Sequence, residues 1–293
     1  MSASGAMTNA IRRAAVAGMF YQDTKSELAA EVDALLERAS TESEASARTA
    51  SAIDTTQTLC GLIVPHAGYM YSGETAARAY RLIGEHIFDT CVVVAPSHHD
   101  YFTGVSVYPG AAYETPLGIC PIDAELRSAL VEELPQLSVS VEGHRKEHAI
   151  EVQLPFLQRM LPEAMILPLV MGEQDAALCA ELGVALARVS KQKRVLCVAS
   201  SDLSHFYTSE IARVMDAHAA SLIEAFNIRG FLDELESESI EACGGGPIAA
   251  VMTSARQSGA ERVEIVHLCN SGDITGDTSR VVGYCSAALW GRQ

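Results

Sequence analysis

Several features that would define a class of protein are missing from this sequence. No apolar run reaches the length of about 18 residues that a transmembrane helix needs. The N-terminus lacks the basic and apolar regions of a signal peptide. The eight cysteines include no C-x-x-C pair. We therefore expect a cytoplasmic protein with reduced thiols that neither crosses nor binds a membrane.

Basic residues are also scarce. The chain has 21 Lys and Arg against 37 Asp and Glu, which gives a formal net charge of −16. A nucleic-acid-binding protein needs a basic patch, so this balance excludes nucleic acid as an expected partner. A small-molecule or peptide substrate is the partner we expect, and the formation of a homo-oligomer stays open.

The chain predicts one domain over residues 1–293, because no convincing boundary interrupts residues 59–290. Residues 1–10 are small and polar and predict a disordered tail. Residues 38–57 are rich in Ser, Thr, Ala and Glu without apolar periodicity, and they predict a mobile loop.

Three apolar runs each lead into histidine. Such runs, bounded by turn residues, predict buried strands of a parallel sheet in an α/β fold. Ligands of open α/β sheets bind beyond the carboxyl ends of the strands. Leu59–Val64 leads to His66, Cys91–Ala95 leads to His98 and His99, and 194–200 leads to Asp202 and His205. We therefore expect these side chains to share one site.

Cys243 is the one cysteine placed in a glycine-rich loop before a predicted helix, in the run Cys243-Gly244-Gly245-Gly246-Pro247. Pro suits the first turn of a helix. A helix N-terminus lowers the pKa of a thiol, so we expect Cys243 to form a thiolate that acts as a nucleophile or a metal ligand.

Residues 144–148 match H-x-x-E-H, a zinc-peptidase pattern. The predicted helix begins only near Glu147, which leaves His144 in the preceding loop. We expect instead that His148 and Glu151, one helical turn apart, form a pair that contacts the substrate or supports the ligands. A zinc hydrolase stays an alternative function.

Five motifs occur in the order found in the Memo family, also called AmmeMemoRadiSam system protein B in bacteria and archaea. They are Pro65-His66-Ala67-Gly68-Tyr69, Pro96-Ser97-His98-His99, 147–155, 200–205 and 243–248. Together with Ala17-Gly18-Met19-Phe20-Tyr21, the resemblance spans nearly the whole chain. It implies the fold of the class III extradiol ring-cleavage dioxygenases, which is a three-layer αβα sandwich with a mostly parallel central sheet.

The resemblance also implies roles for single residues. His66, His98 and Cys243 would be metal ligands, and His205, supported by Asp202, would stand in the place of the catalytic acid/base histidine. We expect His99, His148, Glu151 and Tyr69 to contact the substrate or to support the ligands. The expected cofactor is one metal ion, with iron(II) ahead of copper or zinc. A 2-His-1-carboxylate triad suits iron(II), whereas the thiolate found here shifts the preference toward softer ions.

Three functions follow from these observations. The first is a metal-dependent redox enzyme of the extradiol-dioxygenase type with an unidentified substrate. The second is a metal-binding or peptide-binding adaptor without turnover. The third is the zinc hydrolase based on H-x-x-E-H.

Overall fold

The computed structural model describes residues 8–46 and 57–292. Within these residues the strands form one sheet of nine and one sheet of three. The strands are β1 (Ile11–Arg12), β2 (Gln57–Val64), β3 (Thr90–Pro96), β4 (Val105–Val107), β5 (Ala112–Thr115), β6 (Gly118–Pro121), β7 (Leu137–Val139), β8 (Met165–Met171), β9 (Val195–Ser200), β10 (His205–Tyr207), β11 (Ala260–Asn270) and β12 (Val281–Arg292). The helices are α1 (Lys25–Ser46), α2 (Tyr69–Tyr80), α3 (Ala124–Glu133), α4 (Leu154–Met160), α5 (Ala176–Val189), α6 (Ser209–Glu224), α7 (Ile228–Glu236), α8 (Gly245–Gln257) and α9 (Ser271–Thr275).

The centre of the large sheet consists of the four parallel strands β2, β9, β3 and β8, in that spatial order. Every residue of β3 is buried, because helices cover both faces of the sheet. Cys91 pairs with Ile166 on one side and with Leu196 on the other. This explains why these strands read as continuous apolar runs rather than as alternating patterns.

The outer strands of the large sheet differ in direction. β12 runs antiparallel to β2, β10 and β11, and β4 runs antiparallel to β8. The predicted α/β fold with parallel strands is therefore confirmed at the centre of the sheet, which becomes mixed toward its edges. β1, β5 and β6 form the separate three-stranded sheet.

Two groups of helices cover the sheet and complete three layers, as predicted. In one group α2 packs on β2, β11 and β12, with α1 and α4 packed against α2. In the other, α8 packs on β2, β3 and β9, with α5 and α7 against it. Ala76, Ala77 and Ala79 of α2 are buried, and their small side chains allow the helix to approach the sheet closely.

The segment predicted as a loop over residues 38–57 begins as helix, because α1 continues to Ser46. Its Glu and Ala residues have high helix propensity, which sustains a helix without an apolar stripe. Residues 47–56 of that loop and residues 1–7 of the predicted tail lie outside the described residues. The amide of Thr8 donates to the carbonyl of Pro109. None of the helices in the described part of the chain is long and apolar enough to cross a membrane.

Candidate metal centre

The carboxyl ends of β2, β9 and β3 lie at the same edge of the sheet, because these neighbouring strands are parallel. His66 follows β2, His98 follows β3 and Asp202 follows β9. The backbone amide of His66 donates to Oδ1 of Asp202 at 2.7 Å, which connects the ends of β2 and β9 directly.

Cys243 reaches the same place from the loop before α8. Its Sγ lies 3.1 Å from Nε2 of His66, and the amide of Asp202 donates to the same sulfur at 3.3 Å. One ligand atom each from His66, His98 and Cys243 lies within 4.8 Å of the other two. The three side chains predicted as metal ligands are thus brought together.

Burial controls the charge of His66 and Cys243. It lowers the pKa of His66 to about 3, and the nearby His98 contributes to that shift. Burial and then the charge of Asp202 raise the pKa of the Cys243 thiol far above its ordinary value. The thiolate expected from the helix N-terminus is therefore not favoured in the metal-free site, since the cost of burying a charge exceeds the effect of the helix. A bound cation would reverse this balance.

His98 has a carboxylate partner that the sequence did not suggest. Glu147 is buried, and its two oxygens accept hydrogen bonds from His98, Oε1 from Nδ1 at 2.9 Å and Oε2 from the backbone amide at 2.7 Å. Burial opposes the charged form of His98, but the hydrogen bond and charge of Glu147 outweigh it, so the pKa of His98 is raised. Burial also opposes ionisation of Glu147, yet its contacts with His98 lower its pKa to about 2.

His148 completes a group of three imidazoles. The centroid of its ring lies 4.7 Å from that of His98 and 5.3 Å from that of His66. Burial, followed by the charge of His66, lowers the pKa of His148 to about 4, so the ring is neutral near pH 7. Phe20 also lies against His148, with ring centroids 4.7 Å apart.

The residues present suit a metal ion. Nδ1 of His66 is bonded to Ser200 Oγ at 2.9 Å, and Nδ1 of His98 is bonded to Glu147, which leaves Nε2 of both rings for an ion. Histidine ligands of metals are normally held in this way through the other ring nitrogen. Two imidazoles and one thiolate form a donor set that binds zinc, copper(I) or iron. His98, Glu147 and His148 form a second closely spaced group that shares His98 with the first.

The predicted acid/base pair is only partly assembled. Asp202 and His205 are close enough for the charge of His205 to lower the pKa of Asp202, although burial gives that carboxyl a raised pKa overall. Within the described residues 8–46 and 57–292, no hydrogen bond joins the side chains of Asp202 and His205. Asp202 instead holds the backbone of His66, and the amide of His205 donates to Glu241 at 3.2 Å. His99 is exposed next to His98.

Two predicted site residues have other surroundings. Tyr69 is buried, and its hydroxyl donates to the carbonyl of Val152 at 2.7 Å, so it packs in the core and does not offer its hydroxyl to a substrate. Glu151 does not pair with His148. It forms a buried ion pair with Arg12 and accepts a hydrogen bond from Tyr21 at 2.5 Å.

The reason lies in residues 141–150, which form turns and not the helix that we expected from Glu147. Arg12 donates from Nε to the carbonyl of His144 at 2.9 Å and from Nη2 to that of Glu147 at 2.6 Å, and so occupies carbonyl groups that a helix would use. A single 3₁₀ turn, Glu151–Gln153, leads directly into α4.

The same turns remove the geometry that H-x-x-E-H requires, because its two histidines do not lie one turn apart on a helix. His144 is fully buried, and its Nδ1 is bonded to the hydroxyl of Tyr113 at 2.6 Å. The other residues of this pattern, Glu147 and His148, do lie at the site. The H-x-x-E-H pattern thus included Glu147 but predicted a different role for it.

A family model described as Memo-like protein matches residues 12–288 of the chain. Among curated proteins, the chain is 35% identical over 277 residues to a MEMO1 family protein of Thermoplasma volcanium, covering 94% of this chain and 97% of the relative. It is 40% identical over 233 residues to a MEMO1 family protein of Methanosarcina mazei, covering 78% of this chain and 85% of the relative.

One solved structure, that of an uncharacterized protein from Escherichia coli K12, matches with a TM-score of 0.52. The match covers 79% of this chain and all of that chain, at 15% sequence identity. At this identity the similarity concerns the fold alone.

Proposed function

The chain belongs to the Memo-like protein family, and on that premise we propose that it binds one metal ion through His66, His98 and Cys243 for a redox reaction of the extradiol-dioxygenase type. The observation that carries the proposal is the convergence of these three ligand atoms within 4.8 Å. Bond lengths of about 2.0–2.3 Å place the ligand atoms of one ion about 3–4 Å apart, which this cluster approaches.

We expect iron(II) ahead of copper or zinc. When bound, the ion would supply Lewis-acid binding of a substrate oxygen together with redox chemistry. His148, neutral near pH 7 and packed beside both histidine ligands, would hold a polar group of a small-molecule or peptide substrate. Phe20, packed against His148, would limit the space around that ring.

His205 would move the proton, since it lies at the end of the sheet where the substrate would bind. His205 is half-buried at the start of β10, close enough to His66 and Asp202 for its charge to act on both. Asp202 would act on it through charge at a distance. Its hydrogen bond is made with the His66 backbone, so it fixes the position of a ligand as well.

A metal-binding protein without turnover is the second candidate, and the cysteine ligand favours it. A thiolate next to activated oxygen can itself be oxidised. A site that repeatedly activates oxygen is therefore less suited to a sulfur ligand than to a carboxylate.

The test is metal analysis of protein purified without oxygen, followed by oxygen uptake with catechols. We expect about one ion per chain, bound far more weakly by His98→Ala. The matched control is His218→Ala, which removes a histidine from the exposed part of α6. If the protein binds metal but takes up no oxygen, and if His205→Ala leaves metal binding unchanged, the second candidate is favoured. Absence of metal in the unmodified protein would refute both.

A further inference from the structure

We infer that Ser200 and Glu147 are positioning residues that fix the tautomers of His66 and His98, so that each ring, when neutral, presents a bare Nε2 before any ion arrives. The inference rests on the proposed metal site for its purpose. Its evidence comes from hydrogen-bond donors and acceptors that do not depend on a metal.

The tautomer of His66 follows from the single proton of a serine hydroxyl. Ser200 Oγ lies 2.6 Å from the carbonyl oxygen of Ala149, which can only accept, so the hydroxyl donates its proton there. Ser200 Oγ must then be the acceptor toward Nδ1 of His66 at 2.9 Å. The neutral ring therefore carries its proton on Nδ1 and leaves the Nε2 lone pair facing Cys243.

A second donor supports this assignment. Nε2 of Gln153 donates to the same Ser200 Oγ at 2.9 Å and to the carbonyl of Pro65 at 2.9 Å. Since a carbonyl oxygen cannot donate, Pro65 determines which end of the amide faces it. Oε1 of Gln153 in turn accepts from the hydroxyl of Tyr80 at 3.0 Å. All these side chains are buried, so water does not compete for their hydrogen bonds.

The tautomer of His98 follows from a carboxylate. Oε1 of Glu147 lies 2.9 Å from Nδ1 of His98 and also accepts the amide of Ala149 at 3.0 Å, while Oε2 accepts the amide of His98. An ionised carboxylate can only accept, so Nδ1 of His98 carries a proton. Nδ1 of His148 lies 3.3 Å from the same Oε1, so this carboxylate is also close to the third imidazole.

The two acceptors differ in charge, and this gives the two ligands different characters. Glu147 is an anion, which increases the basicity of His98 as a ligand, whereas Ser200 is neutral. Both acceptors also belong to the segments that carry the site. Ser200 ends β9, which leads to Asp202, and Glu147 directly precedes His148.

The direct test is two-bond ¹H–¹⁵N NMR of histidine-labelled, metal-free protein, at a pH where the rings are neutral. We expect His66 and His98 both to carry the proton on Nδ1. Glu147→Gln should disturb the tautomer of His98 but not that of His66. Nδ1 and the backbone amide of His98 face different oxygens of Glu147, and glutamine has only one oxygen to accept from them. Ser200→Ala should disturb His66 but not His98. This crossed result is not expected from general destabilisation.

The second measurement is zinc affinity, which should fall about 10- to 100-fold in each variant. The matched control is Asp123→Asn, which changes a buried carboxylate at the opposite end of β3, where it caps α3, and should leave zinc affinity unchanged. A proton on Nε2 of either ring in the unmodified protein would overturn the inference, even if a variant did not fold. Correct tautomers without zinc binding would refute the metal site alone.

Discussion

The Sγ atom of Cys243 lies 3.1 Å from Nε2 of His66, although 177 positions separate the two residues in the chain. Asp202 holds both of them. Its side chain accepts the amide of His66, its carbonyl accepts the amide of Cys243 at 3.2 Å, and its own amide donates to the sulfur. The segments after β2 and β9 and the loop before α8 are therefore connected without a metal.

Replacing Cys243 by serine should weaken metal binding and leave the fold intact. Serine keeps the size of the side chain but lacks the soft sulfur that zinc, copper(I) and thiolate-bound iron prefer. Loss of a residue that supports a metal ligand lowers metal affinity about 10- to 100-fold. We expect the loss of the ligand itself to lower the affinity further. Metal titration of the purified variant measures this. Cys60→Ser is the matched control, since Cys60 is also a free and partly buried cysteine. Equal metal content in both variants would remove Cys243 from the site.

Substitution of Gly244 by alanine should displace the loop that carries Cys243. A Cβ atom at this position would lie 2.4 Å from the carbonyl oxygen of Ser200 and 2.8 Å from Cβ of Ser201, and neither atom can move freely. We expect a loss of about 1–3 kcal/mol of stability, as for other overpacked sites, together with weaker metal binding.

Gly68→Ala provides the comparison for this prediction. A Cβ at Gly68 would meet its nearest atom, the carbonyl oxygen of Phe20, at an ordinary 3.5 Å. Gly68 is the N-cap of α2, a position that alanine occupies poorly, so we expect a loss of stability below about 1 kcal/mol and unchanged metal binding. Urea unfolding and metal titration of both variants test the pair, and equal effects would contradict the role of Gly244.

The convergence of the strand ends could be predicted because it depends on short-range signals. An apolar run such as Cys91–Ala95, bounded by turn residues, specifies a strand buried on both faces. Neighbouring parallel strands bring their carboxyl ends to one edge, which places His66 and His98 together. The sequence did not indicate that β12 and β4 run antiparallel to their neighbours, because the residue pattern of a buried strand does not depend on its direction.

The roles of Glu147 and Glu151 could not be predicted, because they depend on a residue far away in the chain. Arg12 bonds the carbonyls of His144 and Glu147 and pairs with Glu151, so the segment forms turns where local periodicity predicted a helix. Helical spacing then assigned His148 the wrong partner. The surroundings of Tyr69 could not be predicted for a similar reason, since its burial against Phe156 comes from packing between α2 and α4.

Removing Arg12 should destabilise the protein strongly. In Arg12→Ala the carboxylate of Glu151 stays fully buried without its cationic partner, and breaking a buried pair in this way costs about 3–5 kcal/mol. Arg13→Ala is the matched control, because Arg13 forms an exposed ion pair with Glu114 that should contribute about 1 kcal/mol or less. Urea unfolding measures both. A loss below about 1 kcal/mol in Arg12→Ala would show that Glu151 is satisfied by its other donors.

Buried His144 should make the stability of the protein depend on pH below neutrality. Burial lowers its pKa to about 3, and the positive charge of Arg12 adds to the shift. An unfolded histidine has a pKa of about 6.5, so between these values the unfolded chain binds more protons and stability falls as the pH falls. The contribution of His144 is complete above about pH 6.5 and is lost toward pH 3.

His144→Gln should therefore flatten this dependence. Between pH 7 and pH 5 the variant should lose about 2 kcal/mol less than the unmodified protein, since each unit below the unfolded pKa costs up to about 1.4 kcal/mol per group. Buried His66 and His148 also have lowered pKa values, so part of the dependence persists in the variant. Tyr113→Phe is the control, because it removes the hydrogen bond to Nδ1 of His144 but leaves that ring buried. It should lower stability at every pH and retain the slope. Urea unfolding at several pH values measures the slopes, and equal slopes in His144→Gln and the unmodified protein would mean that His144 is protonated in the folded state.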